Sequence, residues 1–251
     1  MPNASSTAAR AKPTVSADSA APALRMGPYD TLVAPRGYGN QILADQGSYF
    51  TSINNAPGSG ISMGTTPTSF SATSAKFLLH HVIASSKRVI PHYIRIVAAT
   101  APTGTSRLEG LIALDTGGSR YTSGGTNLFA SRRAHQIGAE DRIAIATGRS
   151  TNCLAYLGVL VVAAETANVR RIARFQLRTS IPIINDEYVI VFGESRSKGH
   201  ANLASATAIR SQVNVGPCAL PPDSDLLLHL WWPDATATQL QCEVEFAWLE
   251  V

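Results

Sequence analysis

Charge is scarce in this sequence. Asp, Glu, Lys and Arg together make up 15% of its 251 residues, and the formal net charge is only +4, whereas about a quarter of an ordinary soluble domain is charged. A balance so small and so scattered speaks against a nucleic-acid-binding surface. It favours burial of the outer surface in an assembly, and the bases are mostly arginine, whose planar fork suits buried or interfacial contacts. Cysteine is scarcer still. Cys153, Cys218 and Cys242 are an odd set with no C-x-x-C pair, which offers neither a disulfide framework nor a zinc site. Cys153 and Cys242 sit in apolar runs, where a thiol acts as a small buried hydrophobe, as expected of a chain that folds in a reducing compartment.

Long hydrophobic runs are also missing. The longest, Leu154 to Ala164, is far short of the ~20 residues that a membrane-spanning helix needs. Residues 1–25 contain no continuous apolar stretch of the secretory kind. The expectation is a protein made soluble, in the cytoplasm, with no membrane partner.

Catalytic signatures are absent too. Ser150 and Ser195 each follow a Gly-x pair, but neither completes G-x-S-x-G. Gly58, Gly60 and Gly64 lie in a Ser/Thr-rich loop with no Gly-Lys-Ser/Thr after it. The histidines are His80, His81, His92, His135, His200 and His229, with no H-x-H or H-x-x-x-H pair among them. On a strand His80 and His81 point to opposite faces, so they cannot share a metal ion, and each histidine is read as a core or interface residue bonded to backbone. Glu140-Asp141 and Asp186-Glu187 fall in polar and turn stretches. Glu243 and Glu245 share one strand face, as the two carboxylates of a glycosidase do, but a solvated or subunit-facing surface explains them more simply. These absences leave no catalytic residue, no metal ligand and no cofactor to name, and the expectation is a protein that is not an enzyme.

What is present is strand. From Thr31 onward, β-favouring runs alternate with Gly/Pro/Ser/Thr/Asn clusters. Leu240, Cys242, Val244, Phe246 and Trp248 alternate with Gln241, Glu243, Glu245 and Ala247, a period of two that separates apolar from polar on a strand but not on a helix. His92 to Ala98 alternates likewise. Lys76 to Ala84, Arg107 to Asp115, Tyr188 to Phe192 and Leu226 to Trp232 are further strands, and Leu154 to Ala163 is expected to be covered on both faces. Glycine turns are expected at Thr116-Gly117-Gly118 and Ser123-Gly124-Gly125, a turn at Asn185-Asp186, and a long polar loop over 54–74. In Glu165 to Thr179, Arg170, Arg174 and Arg178 share one face of either a helix or a strand, and the flanking Thr179-Ser180 and Pro182 favour the strand. Eight to ten strands with modest helix content make an all-β antiparallel two-sheet sandwich, specifically a jelly roll, over residues 27–251.

Residues 1–26 differ in composition. They are rich in Ala, Ser, Thr and Pro and almost free of large apolar side chains, so in isolation they are expected to form a disordered arm. Arg10, Lys12 and Arg25 stand against Asp18 there, too thin a charge to condense nucleic acid but suited to strapping subunits together. Trp231-Trp232-Pro233 ends a strand with two aromatics facing opposite sides, one toward the core and one toward a possible interface, where Trp is enriched. Arg10, Lys12, Arg25, Trp231 and Trp232 are therefore the candidate subunit contacts.

The stretch Pro91 to Gly125 (PHYIRIVAATAPTGTSRLEGLIALDTGGSRYTSGG) joins a strand, a Thr/Pro/Gly loop, a strand and a glycine turn. The chain closes with IPIINDEYVIVFGE and LLLHLWWPDATATQLQCEVEFAWLEV. Over residues 40–251 this resembles the jelly-roll virion proteins of bacterial viruses, shell decoration (cement) proteins in particular. The resemblance implies subunits clustered as trimers on the surface of an icosahedral shell, contacting the major capsid protein, with arms reaching neighbours and no specific nucleic-acid binding. A single-jelly-roll major capsid protein of a small virus is similar in pattern, although the weakly basic arm departs from the RNA-packaging kind. A carbohydrate-binding jelly roll of a virion fibre or adhesin is the third expectation.

Overall fold

The computed structural model describes residues 49–54, 56, 58–64, 67–102, 107–128, 153–178, 181–193, 210–233 and 240–251, together with the strand pieces 25–26, 32–33 and 135–136. The chain divides into two units, residues 1–43 and 44–251. In the first, β1 (Arg25–Met26) and β2 (Leu32–Val33) pair antiparallel. The rest of the 1–26 arm lies outside the described residues.

The second unit is an all-β sandwich of two sheets. Its strands are β3 (Tyr49–Ile53), β4 (Ile61–Ser62), β5 (Ala75–His81), β6 (Val89–Thr100), β7 (Leu108–Asp115), β8 (Tyr121–Asn127) and β9 (His135–Gln136). They continue with β10 (Cys153–Val162), β11 (Val169–Arg178), β12 (Glu187–Phe192), β13 (Arg210–Val215), β14 (Ser224–Trp231) and β15 (Gln241–Glu250). One sheet runs β11-β7-β14-β5-β10-β8, the other β13-β12-β6-β15-β3-β9, with β4 also on β15. No helix occurs among the described residues, which corrects the expected modest helix content.

The pairings nest. β3 pairs with β15, β5 with β14, β6 with β12 and β7 with β11, all antiparallel. The first and third pairs lie in one sheet and the second and fourth in the other, as if a long hairpin had been rolled up. β15 on β6 and β14 on β7 then stitch the roll together. Between β7 and β11 the chain inserts β8, β9 and β10, which extend both sheets past β5 and β3.

The period of two in β15 explains the centre of the core. Alternate residues Cys242, Val244, Phe246 and Trp248 all turn inward and are buried. Phe246 stacks on Trp248 with ring centroids 4.8 Å apart, Phe50 stacks on the same Trp248 at 5.6 Å, and Phe77 of the facing sheet meets Phe246 edge-on at 5.2 Å. Fully burying one such ring contributes on the order of 3 kcal/mol, so this cluster joins the two sheets.

Three local expectations change. Ser123-Gly124-Gly125 is not a turn but lies inside β8, where Gly124 and Gly125 have φ of +80° and +71° and the register against β10 shifts between Leu157 and Leu160. A Cβ on Gly124 would stand 2.5 Å from the Val159 carbonyl oxygen, so the bulge requires glycine. β10 is not covered on both faces: Val159 and Val161 are 55% and 50% exposed. Residues 169–178 do form a strand, but the register against β7 slips between Arg171 and Ala173. Arg170 therefore lies opposite Leu114, which faces the core, and Arg174 opposite Leu111, which faces outward. The arginines at spacing four end on different faces.

Candidate functional site

The outer face of the six-stranded sheet is covered by the chain's own segment Pro67–Ser74. That strap is held by hydrogen bonds to its carbonyls: Trp232 N–H to Pro67 (2.9 Å), Val162 N–H to Thr73 (3.3 Å) and Arg120 Nη2–H to Ala72 (2.6 Å). Trp231 lies on this outer face, packed with Leu111, Ala113 and Phe70, with the Arg174 guanidinium 5.8 Å from its ring. Trp232 turns the other way into the core between the sheets. Both tryptophans are buried by residues of this chain. Of the other candidate contacts, Arg25 pairs through its backbone with Val33, and Arg10 and Lys12 lie outside the described residues, as do Glu140-Asp141 and His200.

At the other end of that outer face is a buried polar cluster. Asp225 is fully buried; its Oδ1 meets His80 Nδ1 at 2.7 Å and its Oδ2 accepts the Arg120 backbone N–H at 2.5 Å. Asp115, also fully buried, accepts the hydroxyl and backbone N–H of Thr166 and the Gly117 N–H, with Arg120 Nε at 3.6 Å. The Arg120 side chain donates to the carbonyls of Ala72 and Ala163. One side chain thus ties together the strap, the turn after β7 and the segment after β10. Buried charges require such pairing, and the cluster reads as a structural lock.

The outer face of the seven-stranded sheet is polar and more open. Arg95 on β6 bridges Glu187 on β12 (3.1 Å) and Glu245 on β15 (3.3 Å), and Arg210 on β13 reaches Glu187 at 2.9 Å. Burial would raise the Glu187 carboxyl, but the hydrogen bonds and charges of Arg95 and Arg210 outweigh it and hold it below the usual range. Tyr93 donates to Glu245 at 2.5 Å; burial, then this bond, pushes its hydroxyl pKa well up. Tyr49 meets His92 Nδ1 at 2.8 Å, and burial lowers the pKa of that imidazole. Beside this network lies a groove of about 160 Å³ lined by Ile53, Asn54, Arg95, Val97, Glu243, Val244 and Glu245. The shared strand face of Glu243 and Glu245 is therefore real, but Glu245 accepts from Tyr93 and Arg95, and Glu243 accepts the Gly58 N–H at 2.8 Å. Both carboxylates are thus engaged by donors of this chain. Among the described residues no group of three or more His, Cys, Asp and Glu converges on a possible metal position.

Sequence reasoning missed the buried cluster. Its members come from β5, β7, β14 and two loops, with His80 and Asp225 145 positions apart, and no local spacing signals such a meeting. The one available hint was Asp115 and Asp225, each a carboxylate at the end of an apolar run.

No protein-family model, curated protein or solved structure matches the chain.

Proposed function

We propose that this chain is a structural subunit of an icosahedral virus shell, folded as a jelly roll, whose role is mechanical and not catalytic. The observation that carries the reading is the nesting of β3–β15, β5–β14, β6–β12 and β7–β11 in alternate sheets. Eight strands rolled in this way form the double Greek key of jelly rolls, a fold common in viral shells. The bare valines Val159 and Val161 add support, since apolar side chains left open on a sheet are where siblings pack.

Its leading role is decoration: subunits associate, as trimers, bind the major capsid protein at the virion surface and stabilise the shell, with residues 1–26 crossing to neighbours. The second reading is a major shell protein that closes a shell by itself, and the nested roll favours it equally. Mass photometry and electron microscopy of the purified chain test both. Discrete small oligomers that bind a preformed shell, and bind poorly once residues 1–26 are deleted, support decoration; closed particles from the chain alone support the second reading. In either case Val159→Asp with Val161→Asp should abolish self-association while the monomer stays folded. A native chain that remains monomeric at high concentration and binds no shell would overturn the proposal.

A further inference from the structure

We propose that His229 is an acid-operated latch: protonation of its imidazole, enclosed between the strap Pro67–Ser74 and the six-stranded sheet, releases the strap and uncovers the apolar surface around Trp231.

The acceptors near the imidazole are the Ser71 and Ser74 backbones of the strap, and they favour its proton less than burial disfavours it. His229 stands on β14 opposite Leu111 of β7 and Ala75 of β5, both apolar. It is 1% exposed, and the Phe70 ring of the strap meets it edge-on at 5.2 Å. Neither ring nitrogen meets a partner at hydrogen-bonding geometry. The charged groups on the elements packed around it are already engaged. Glu165, before β11, pairs with Arg171 at 2.8 Å, and Asp115 of β7 holds Thr166 and lies beside Arg120. Asp225 of β14 holds His80 of β5, and Lys76 of β5 donates to the Met63 carbonyl at 2.7 Å. The cation whose charge opposes a proton there is Arg120, whose Nη1 is itself buried without a partner. A proton on His229 would therefore place a second cation in an apolar pocket beside the first, which costs heavily.

Burial, then the Arg120 charge, lowers the His229 pKa to about 4, against weaker opposing effects of the Ser74 and Ser71 backbones and Glu165. An imidazole freed into water has an ordinary pKa of about 6.5. The open form thus binds a proton more readily than the closed one. The closed strap is fully favoured above pH 6.5 and loses favour as pH falls toward 4. Over that span the ratio of open to closed rises by roughly 80-fold, and it approaches about 300-fold, the full shift of about 2.5 pH units, only well below pH 4. The strap is the element that yields, because it is held by three hydrogen bonds to its carbonyls and by the ring contacts of Phe70, one of them to His229 itself, whereas the core behind it is sealed by the stacked rings of β15.

Hydrogen exchange of the full chain, followed by mass spectrometry from pH 7.5 to 4.5 and corrected for intrinsic rates, tests this. Peptides from 67–74 should lose up to about 40-fold in protection between pH 6.5 and 4.5, while peptides from 241–250 keep theirs. His229→Leu removes the titration and replaces an unpartnered buried polar group with an apolar one, a change that is neutral or stabilising where no hydrogen bond is lost. In this variant the strap should stay protected at pH 4.5. His229→Gln, neutral but polar, serves the same purpose if the leucine variant does not fold. Equal acid opening in native and variant proteins, a pH-independent native strap, or equal loss of protection in 241–250 would each overturn the proposal.

Discussion

Replacing Asp225 with alanine removes one carboxylate that answers two buried donors. In the folded protein its Oδ2 accepts the Arg120 backbone N–H at 2.5 Å and its Oδ1 meets His80 Nδ1 at 2.7 Å. Both oxygens belong to a fully buried residue, so water cannot take their place. Each donor left unanswered costs about 1–3 kcal/mol, and removing one partner from a buried charged network costs about 3–5 kcal/mol. These are overlapping descriptions of one loss, so they do not add, and about 4 kcal/mol is the expected destabilisation. For a domain of this size each kcal/mol lowers Tm by about 2–4 °C, which gives a fall of roughly 8–16 °C. Asp225→Asn keeps an amide oxygen for the Arg120 N–H and loses the charge beside His80, and should cost about half as much. Urea denaturation of the three proteins at pH 7, with midpoints compared at constant slope, measures the differences. A loss below about 1 kcal/mol for Asp225→Ala would refute the premise that this carboxylate locks the outer face.

Gly110→Ala tests the packing of β11 on β7: the new Cβ would lie 2.4 Å and 2.8 Å from the Phe175 ring and 3.1 Å from Leu230. Overpacking of this kind costs about 1–3 kcal/mol, read as a lower denaturation midpoint; an unchanged midpoint contradicts the close approach. At the groove beside Arg95, a glycan array should give no hit, and Glu243→Gln should leave self-association unchanged. A glycan bound by the native chain and lost in Glu243→Gln would instead establish the carbohydrate reading.

Much of the fold was legible in order along the chain. The period of two in Leu240 to Trp248 and His92 to Ala98 marks β15 and β6 without reference to any neighbour, because successive side chains on a strand must face opposite ways. The Asn185-Asp186 turn was legible for an equally local reason: Asn185 takes φ +69°, a conformation that asparagine tolerates better than most residues. The opposed faces of Trp231 and Trp232 follow from the same geometry. What covers each one does not.

Tertiary structure decided that and more. The bulges at Gly124-Gly125 and between Arg171 and Ala173 depend on how β8 and β11 register against their partner strands. An extra residue reverses the faces beyond it, which is why the arginines of β11 diverge. The strap over Trp231 and His229, and the meeting of His80, Asp115, Arg120 and Asp225 at the other end of that face, arise from segments far apart in sequence. Alternation along a strand determined which way each side chain points, because that rule is local. The burial, charge and partners each side chain meets there were decided by strands and loops that only the rolled sandwich brings together.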